Sequence, residues 1–180
     1  MNESDDAETL FETKYLRLVR RNGWDFVERK NICGIVVIVA VTDRDELLLV
    51  EQYRAPVAGR VIELPAGLAG DTPGEEDEPL ENAASRELLE ETGYRADRLV
   101  RLFHGPPSPG ITSEELTFYF ADGVHRVGAG GGDASEQIIV HAVPLRAVPS
   151  WLAEQARQGK RVDVKVYAGL YALSSGPEPD

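Results

Sequence analysis

The sequence predicts an α+β fold in which a central β-sheet packs against helices, and three observations favour this class. The run ICGIVVIVAV at 32–41 is nearly continuous and β-branched, which is typical of a strand buried on both faces. Shorter strand-like segments flank it on both sides. Strong helical patterns lie at 80–92 and near the C-terminal end. The 180 residues suffice for one domain with a substantial core.

The N-terminal half is predicted to consist of strands. The first two, at 14–21 and 24–30, are joined by Asn22-Gly23, a dipeptide that readily supplies the positive φ angles of a tight hairpin. We expect residues 1–9 and 175–180 to be frayed tails. The remaining segments before the first helix are the buried strand at 32–41, a turn at 43–46, a partner strand at 47–54, a short strand VIELPAG at 61–67 ending in Pro65 and Gly67, and a loop at 70–79.

The stretch LENAASRELLEET at 80–92 is the clearest helix in the chain. Pro79 suits the first turn, and Gly93 stands where a helix ends in left-handed geometry. Beyond it we predict three strands, at 97–103, 116–123 and 138–145. Two helices follow, at 148–158 and 163–173.

Composition limits the classes of partner. The formal net charge is −12 and the pI about 4.7, so a nucleic acid or an anionic membrane would be repelled. Cys33 is the only cysteine and falls in an apolar run, so we expect it in the core of a reduced, cytoplasmic protein. The N-terminus has neither the pattern of a signal peptide nor a membrane span.

The helix at 80–92 crowds glutamates onto one face. Glu87, Glu90 and Glu91 are spaced to project together, and neighbouring like charges destabilise a helix unless a cation neutralises them. A hard divalent cation such as Mg²⁺ prefers carboxylate oxygens and can bridge them to a phosphate. The alternative is a solvated helix face on which Arg86 pairs with Glu90.

The pattern Arg86-Glu87-Leu88-x-Glu90-Glu91-x-Gly93-Tyr94 resembles the second half of the Nudix box. Glu78, eight residues before Arg86, matches the glutamate of that motif. The family pattern has five residues between its first glycine and this glutamate, whereas ten separate Gly67 from Glu78 here. The resemblance implies an α/β/α sandwich with a mixed central sheet. We expect a single domain over 1–180, with a hairpin extension at about 12–30 and the core at about 31–174.

The resemblance also implies roles at the helix. Glu87, Glu90 and Glu91 would be ligands of Mg²⁺, with Mn²⁺ a possible substitute, and the main-chain carbonyl of Ala66 or Gly67 would complete the site. Arg86 would orient Glu90 or its neighbours. A mobile carboxylate would act as general base towards the attacking water, and the implied residue is Glu136, with Asp133 the nearest alternative.

Three further stretches resemble the branch of the family that hydrolyses ADP-ribose and nucleotide sugars: EQYRAPV, the loop containing Pro109, and SEQIIVHAVPL. By this resemblance Arg54 would contact the diphosphate, Glu63 the nucleoside and Glu114 the second sugar. Pro109 would belong to the same substrate site. Trp24, with Phe26, would stack on the base, although aromatic residues on a strand are more often packing residues.

The expected function is metal-dependent hydrolysis of ADP-ribose to AMP and ribose 5-phosphate. The alternatives are the same reaction on GDP-mannose or UDP-glucose, and a module that senses ADP-ribose without cleaving it. The resemblance further implies a homodimer in which the N-terminal hairpin pairs with a second subunit. Tyr15, Leu16, Leu18, Trp24 and Phe26 support this, since they would otherwise expose apolar surface.

Overall fold

The computed structural model describes residues 7–132 and 137–176, which form twelve strands, three α-helices and three short helical turns at Ala55–Val57, Leu88–Thr92 and Leu145–Ala147. The strands are β1 (Glu8–Glu12), β2 (Leu16–Arg21), β3 (Trp24–Arg29), β4 (Gly34–Thr42), β5 (Glu46–Arg54), β6 (Gly59–Glu63), β7 (Ala66–Ala69), β8 (Tyr94–Arg95), β9 (Arg98–Gly105), β10 (Leu116–Arg126), β11 (Ile139–Pro144) and β12 (Arg161–Val162). The helices are α1 (Leu80–Glu87), α2 (Val148–Arg157) and α3 (Val164–Ser175).

The strands form two sheets. The first is three-stranded, in the order β1-β2-β3. The second has nine strands and a spine in the order β12-β6-β5-β4-β10-β8, with β11 pairing β5, β7 pairing β4 and β9 pairing β10. It is mixed, because β10 runs parallel to β4 and β12 parallel to β6 while the other pairs are antiparallel.

Helices cover both faces of the larger sheet, which confirms the predicted α/β/α class. Val37 and Val39 of β4 point to the cluster that includes Val148 of α2 and Val166 of α3. The alternate residues of β4 point to the opposite cluster, where Ala83 of α1 is buried. Because residues 36–40 are all buried, β4 is the two-faced core strand that its composition predicts.

The N-terminal hairpin is confirmed, with one correction. Asn22 and Gly23 have φ angles of 50° and 80°, as the tight turn between β2 and β3 requires. Residues 8–9 were expected to be part of a frayed tail, but they belong to β1, which pairs antiparallel with β2. The edge of β2 supplies backbone partners that the sequence of β1 alone does not reveal.

Cys33 was expected in the core, and this is wrong. Strand β4 begins at Gly34, so Cys33 precedes it and is exposed. Its thiol donates a hydrogen bond to the carbonyl of Glu78, 3.2 Å away, in the loop before α1.

The expected single strand at 61–67 is broken into β6 and β7. Pro65 has no N–H to donate to a ladder, and its carbonyl accepts from the N–H of Ile38 at 2.8 Å. The chain then turns back, so that β7 pairs antiparallel with β4 and Ala66 lies opposite Val37. This reversal places Ala66 and Gly67 within a strand beside α1.

The predicted helix at 80–92 is confirmed, but its second half is π-helical at Leu88–Thr92. The hydroxyl of Thr92 donates to the carbonyl of Leu88. Gly93 ends the helix at φ 75°, as predicted. Pro79 is the residue before the first turn rather than within it.

The five remaining predicted elements correspond to β9, β10, β11, α2 and α3, whereas the two-residue strands β8 and β12 were missed. In the described ranges, no helix has both the length and the apolar character needed to cross a membrane.

Glu51 of β5 is a buried carboxylate that joins three elements. It accepts hydrogen bonds from Nε2 of His141 on β11 at 3.0 Å and from Nζ of Lys160, just before β12, at 2.8 Å. Burial alone raises the pKa of Glu51, but the bonds from Lys160 and His141 outweigh it and hold the pKa below its ordinary value. The ion pair therefore stabilises the fold at neutral pH, and this contribution is lost as the pH falls through the lowered pKa.

We expect Glu51→Ala to lower the free energy of unfolding by about 3 kcal/mol, because Lys160 loses a partner in a part-buried position. Urea denaturation at pH 7 measures this. Asp25→Ala, which breaks an exposed pair with Arg20, is the matched control and should cost less than about 1 kcal/mol. Equal losses of stability in the two variants would contradict the assignment of Glu51 to a stabilising ion pair with Lys160.

Candidate functional site

A cavity of about 430 Å³, here called the first cavity, opens where β4, β5, β6 and β7 meet the glutamate helix, the name used here for α1 with its π-helical end, 80–92. Its walls combine apolar residues of the sheet with several ionisable side chains. The lining residues are Arg29, Ile35, Val37, Gln52, Arg54, Glu63, Ala66, Gly67, Leu68, Asp71, Glu87, Glu91, Pro107, Glu114, Leu116 and Lys165.

Arg86 holds one wall of this cavity together. Its Nε and Nη2 donate to the two carboxylate oxygens of Glu78 at 3.0 and 2.9 Å. Nη2 also donates to the carbonyl of Leu68 at 2.9 Å, and Nη1 donates to Glu87 at 2.8 Å and to Glu90 at 3.3 Å. The bidentate pair lowers the pKa of Glu78 and raises that of Arg86. Despite the lengthened loop, Glu78 therefore reaches the helix.

Glu87 lines the first cavity and packs against Gly67. A Cβ at Gly67 would stand 1.9 Å from the Cδ of Glu87, so only glycine leaves room for this carboxylate. Burial raises the pKa of Glu87 to about 7, and the positive charge of Arg86 only partly offsets that rise. The carboxylate is thus partly desolvated and incompletely neutralised by its protein partners.

Glu91 shares the first cavity with Glu87, but Glu90 does not. Glu91 is buried and one of its oxygens accepts from the N–H of Ala66 at 3.0 Å. The side chain of Glu90 is 54% exposed and lies on the flank, linked to Arg86. Of the three glutamates, Glu87 and Glu91 line the cavity, while Glu87 and Glu90 share Nη1 of Arg86, and their role as cation ligands stays a prediction. The π-helical turn changes the angular spacing after Glu87, which the ideal helical period does not anticipate.

The donor set fits a hard divalent cation. In the part of the chain that the structure describes, no three acidic, histidine or cysteine side chains already stand at ligand spacing, because Arg86 draws Glu87 and Glu90 to itself. Glu87 and Glu91 nevertheless line one cavity, and Ala66 of β7, whose N–H bonds Glu91, lines it as well. Carboxylate and main-chain oxygens are the ligands that Mg²⁺ takes in proteins.

Arg54 and Glu63 line another part of the first cavity. Arg54 donates to the two oxygens of Glu63 at 2.8 and 3.3 Å, which brings together the residues implied for the diphosphate and the nucleoside. Burial raises the pKa of Glu63, and the bonds from Arg54 oppose the rise. Neighbouring strands β5 and β6 supply the pair, which explains how residues nine apart in sequence meet.

Two cationic residues of the site were missed by the sequence analysis. Arg29, at the end of β3, donates to Glu114 at 2.8 Å and so brings the N-terminal sheet into the cavity. Lys165, in the first turn of α3, lines the cavity and pairs with Asp163. Neither residue lies in a recognisable motif. The only signal in the sequence was the alternation of side-chain directions along β3, which puts Arg29 on the same face as Val27.

Two implied residues are not brought to the cavity within the chain. Trp24 is 68% exposed and lies at the opposite end of β3 from Arg29, about 17 Å along the strand. Pro109 is exposed and absent from the cavity walls, where Pro107 stands instead. Phe26 is part-buried and packs beneath the guanidinium of Arg21, with 5.5 Å between them.

Asp133 and Glu136, the two candidates for a general base, lie outside the described residues. Their neighbour Gly132 donates its N–H to the carbonyl of Glu90 at 3.0 Å, and Gly131 donates to that of Glu91 at 2.8 Å. The segment that leads to these candidates therefore contacts the glutamate helix.

Comparisons with known proteins agree with this architecture. The NUDIX domain model matches residues 34–162. The chain is 32% identical over 123 residues to a methanol dehydrogenase activator of Bacillus methanolicus, covering 68% of this chain and 64% of that protein. It is 37% identical over 89 residues to an ADP-ribose pyrophosphatase of Bacillus subtilis, covering 49% and 45%. It is 31% identical over 172 residues to a GDP-mannose pyrophosphatase of Salmonella paratyphi B, covering 88% and 86%.

Among solved structures, the chain resembles a crystal structure described as an ADP compounds hydrolase, with a TM-score of 0.68 and 22% identity. That similarity covers 96% of this chain and 95% of the other, and it establishes the fold. The chain spans about half to two thirds of the length of the two Bacillus relatives, and most of the Salmonella one.

Replacing Gly67 with alanine should displace Glu87 and weaken binding of Mg²⁺ about tenfold. Because the displaced group is the end of a flexible side chain, the variant should still fold. The Mg²⁺ concentration at the midpoint of the rise in Tm measures the effect, since an ion that binds only the folded state stabilises it. Gly110→Ala is the control, as its Cβ meets no atom within 4 Å. Identical midpoints for the two variants would contradict the placement of Glu87.

Proposed function

This chain belongs to the Nudix family, and from that premise we propose that it hydrolyses the diphosphate bond of ADP-ribose to give AMP and ribose 5-phosphate. The observation that carries the proposal is that one cavity is lined both by the carboxyl groups of Glu87 and Glu91 and by the guanidinium of Arg54. A diphosphate with a bound cation is complementary to both.

Glu87, Glu91 and the carbonyl of Ala66 are the groups that we assign to holding the cation, with Arg86 orienting Glu87. Mg²⁺ is the proposed ion and Mn²⁺ its substitute. When bound, the cation would neutralise the developing negative charge on the phosphate oxygens. The protein contributes a fixed carboxylate geometry, because Glu91 is held by the N–H of Ala66 and Glu87 by Arg86.

We assign the substrate contacts to the part of the first cavity that Arg54 and Glu63 line. Arg54 has a guanidinium suited to bidentate contact with phosphate oxygens, and Glu63 holds it in place. Lys165 adds a second positive charge to the cavity. Glu63 and Glu114 are the acceptors proposed for the hydroxyl groups of the nucleoside and of the second sugar.

The attacking water must lose a proton as it approaches phosphorus, and we assign Glu136 as the general base. Asp133 is the alternative. The expected result of Glu136→Gln is a large loss of turnover with little change in the affinity for Mg²⁺. Turnover that falls only in Asp133→Asn would move the base to Asp133.

The nearest alternative is the same chemistry on GDP-mannose, which the 86% coverage of the Salmonella relative favours. UDP-glucose is a further candidate of this class. A sensor that binds ADP-ribose without cleaving it is the alternative from another class. Retention of Glu87 and Glu91 in the cavity argues against a sensor, since binding alone does not need a metal site.

A homodimer and a cytoplasmic location remain part of the proposal. The N-terminal sheet exposes a cross-strand apolar row in which Phe11 is 66% and Leu18 37% exposed. A second copy would bury this row and could bring Trp24 to a site that its own chain does not reach. Light scattering of Phe11→Asp alongside the wild type tests this, and a wild-type monomer would rule the dimer out.

The first experiment is phosphate release, coupled through a phosphatase, from ADP-ribose, GDP-mannose, UDP-glucose, diadenosine polyphosphates and NADH, with Mg²⁺ and with chelator. Selective, Mg²⁺-dependent turnover of ADP-ribose is expected. Turnover of another nucleotide sugar would keep the reaction and change the substrate. Tight binding of ADP-ribose without turnover of any compound would instead indicate the sensor.

Glu91→Gln should abolish turnover, because it removes a buried charge from the cavity, whereas Glu90→Gln should reduce it much less. The two glutamates are adjacent in sequence and differ in burial, so each is the control for the other. Steady-state kinetics over a range of Mg²⁺ concentrations measures both. A greater loss in Glu90→Gln would contradict the assignment of Glu91 as the ligand.

A further inference from the structure

A second cavity, here called the second chamber, lies beside the first and has a volume of about 810 Å³. The two cavities share Arg29, Leu68 and Asp71 as lining residues, so they are adjacent. Arg29 stands at the junction, where its side chain is 34% exposed and Glu114 fixes its Nε at 2.8 Å. A group bound in the first cavity would therefore lie next to the second chamber, with Arg29 at the boundary.

One wall of the second chamber comes from the lengthened loop before α1. Asp71, Thr72, Pro73 and Glu76 line it, and all four lie in the loop that is five residues longer than in the family motif. The loop is fixed internally, since the N–H of Glu75 bonds the carbonyl of Thr72 at 3.0 Å. This wall is thus specific to chains that carry such an insertion.

The loop is also anchored at its two ends. The N–H of Gly70 donates to the carboxylate of Glu78 at 3.4 Å, and the thiol of Cys33 donates to the carbonyl of Glu78 at 3.2 Å. Glu78 is itself held by Arg86. Consequently Glu78 and Arg86 hold in place both the loop that lines the second chamber and one wall of the first cavity.

The second chamber is also lined by residues that flank strands β2 and β3, so donors and acceptors both face it. Lys14 and Lys30 offer ammonium groups and Asn31 an amide, while Asp71 and Glu76 across the chamber offer carboxylates. A hydroxyl group both donates and accepts, so a hydroxyl-rich group fits this mixture better than a purely anionic or apolar one. The exposed ring of Tyr15, with Lys14 over it at 4.8 Å, adds a flat surface.

We propose that the second chamber binds the hydroxyl-rich second moiety of a nucleoside diphosphate substrate, and that Arg29, held by Glu114, determines specificity for that moiety. The inference rests on the proposed function and extends it to this chain's own insertion. It also gives the N-terminal sheet a role within its own subunit, because Arg29 reaches the cavity of the chain to which it belongs.

The test compares two substrates that differ only in the second moiety: ADP-ribose and the methyl ester of ADP, which keeps the diphosphate bond but has no sugar beyond it. In Arg29→Gln the ratio of kcat/KM for ADP-ribose to that for methyl-ADP should fall about tenfold, mainly through KM. Arg20→Gln is the matched control, because Arg20 makes a similar pair with Asp25 in the same sheet away from both cavities.

The double variant Lys14→Ala/Thr72→Ala provides an independent test, since it alters both walls of the second chamber and leaves Arg29 in place. It should lower the same ratio with an unchanged Tm. A ratio that stays at the wild-type value in this variant, or equal losses for both substrates in Arg29→Gln, would overturn the proposal.

Failure of the proposed function is seen separately, as absence of wild-type turnover on both substrates. In that case calorimetric binding of ADP-ribose and methyl-ADP replaces kinetics. A wild-type preference for ADP-ribose that Arg29→Gln removes supports the second chamber, and equal affinities overturn it.

Discussion

The bonding of Arg86 is the constraint on which the rest of the site depends. One guanidinium ties the loop before α1 through Glu78, strand β7 through the carbonyl of Leu68, and the helix through Glu87. A planar group with five donors in a fixed fork is the only side chain that can satisfy these acceptors at once. Without it, the part-buried carboxylates of Glu78 and Glu87 would both lose the positive charge that they contact.

The larger sheet determines where Arg86 makes these hydrogen bonds. Because β4 is buried on both faces, it binds α1 on one side and α2 with α3 on the other, and the cavity forms where these layers meet at β7. The break at Pro65 is decisive, since it turns the chain back across β4. Ala66 and Gly67 are thereby presented to the helix, and the absence of a side chain at Gly67 leaves room for Glu87.

The site brings several cationic side chains together in a strongly acidic protein. Carboxylates and cations both line the first cavity, and the cations Arg29, Arg54 and Lys165 come from three separate elements. A chain with a net charge of −12 can hold an anionic substrate only if such local cations and a metal ion outweigh its overall field. The N-terminal sheet takes part in this arrangement through the bond between Arg29 and Glu114.

The sequence by itself determined the features that are encoded within a few residues of one another. The Asn22-Gly23 turn, the buried strand β4, and the helix with its Gly93 end all follow from local backbone preferences and hydrophobic periodicity. The spacing of Glu78, Arg86 and the glutamates of the helix identified the family, because all residues of that motif lie close together in the sequence.

Only the tertiary structure decided how those side chains are surrounded. The exposure of Cys33, the pairing of β1 and the separation of Glu90 from Glu91 depend on contacts that no local pattern contains. Arg29 and Glu114 are 85 residues apart, and their pairing requires that the whole N-terminal sheet be docked. Burial and charge compensation arise from long-range packing, so they could not be predicted from residue spacing alone.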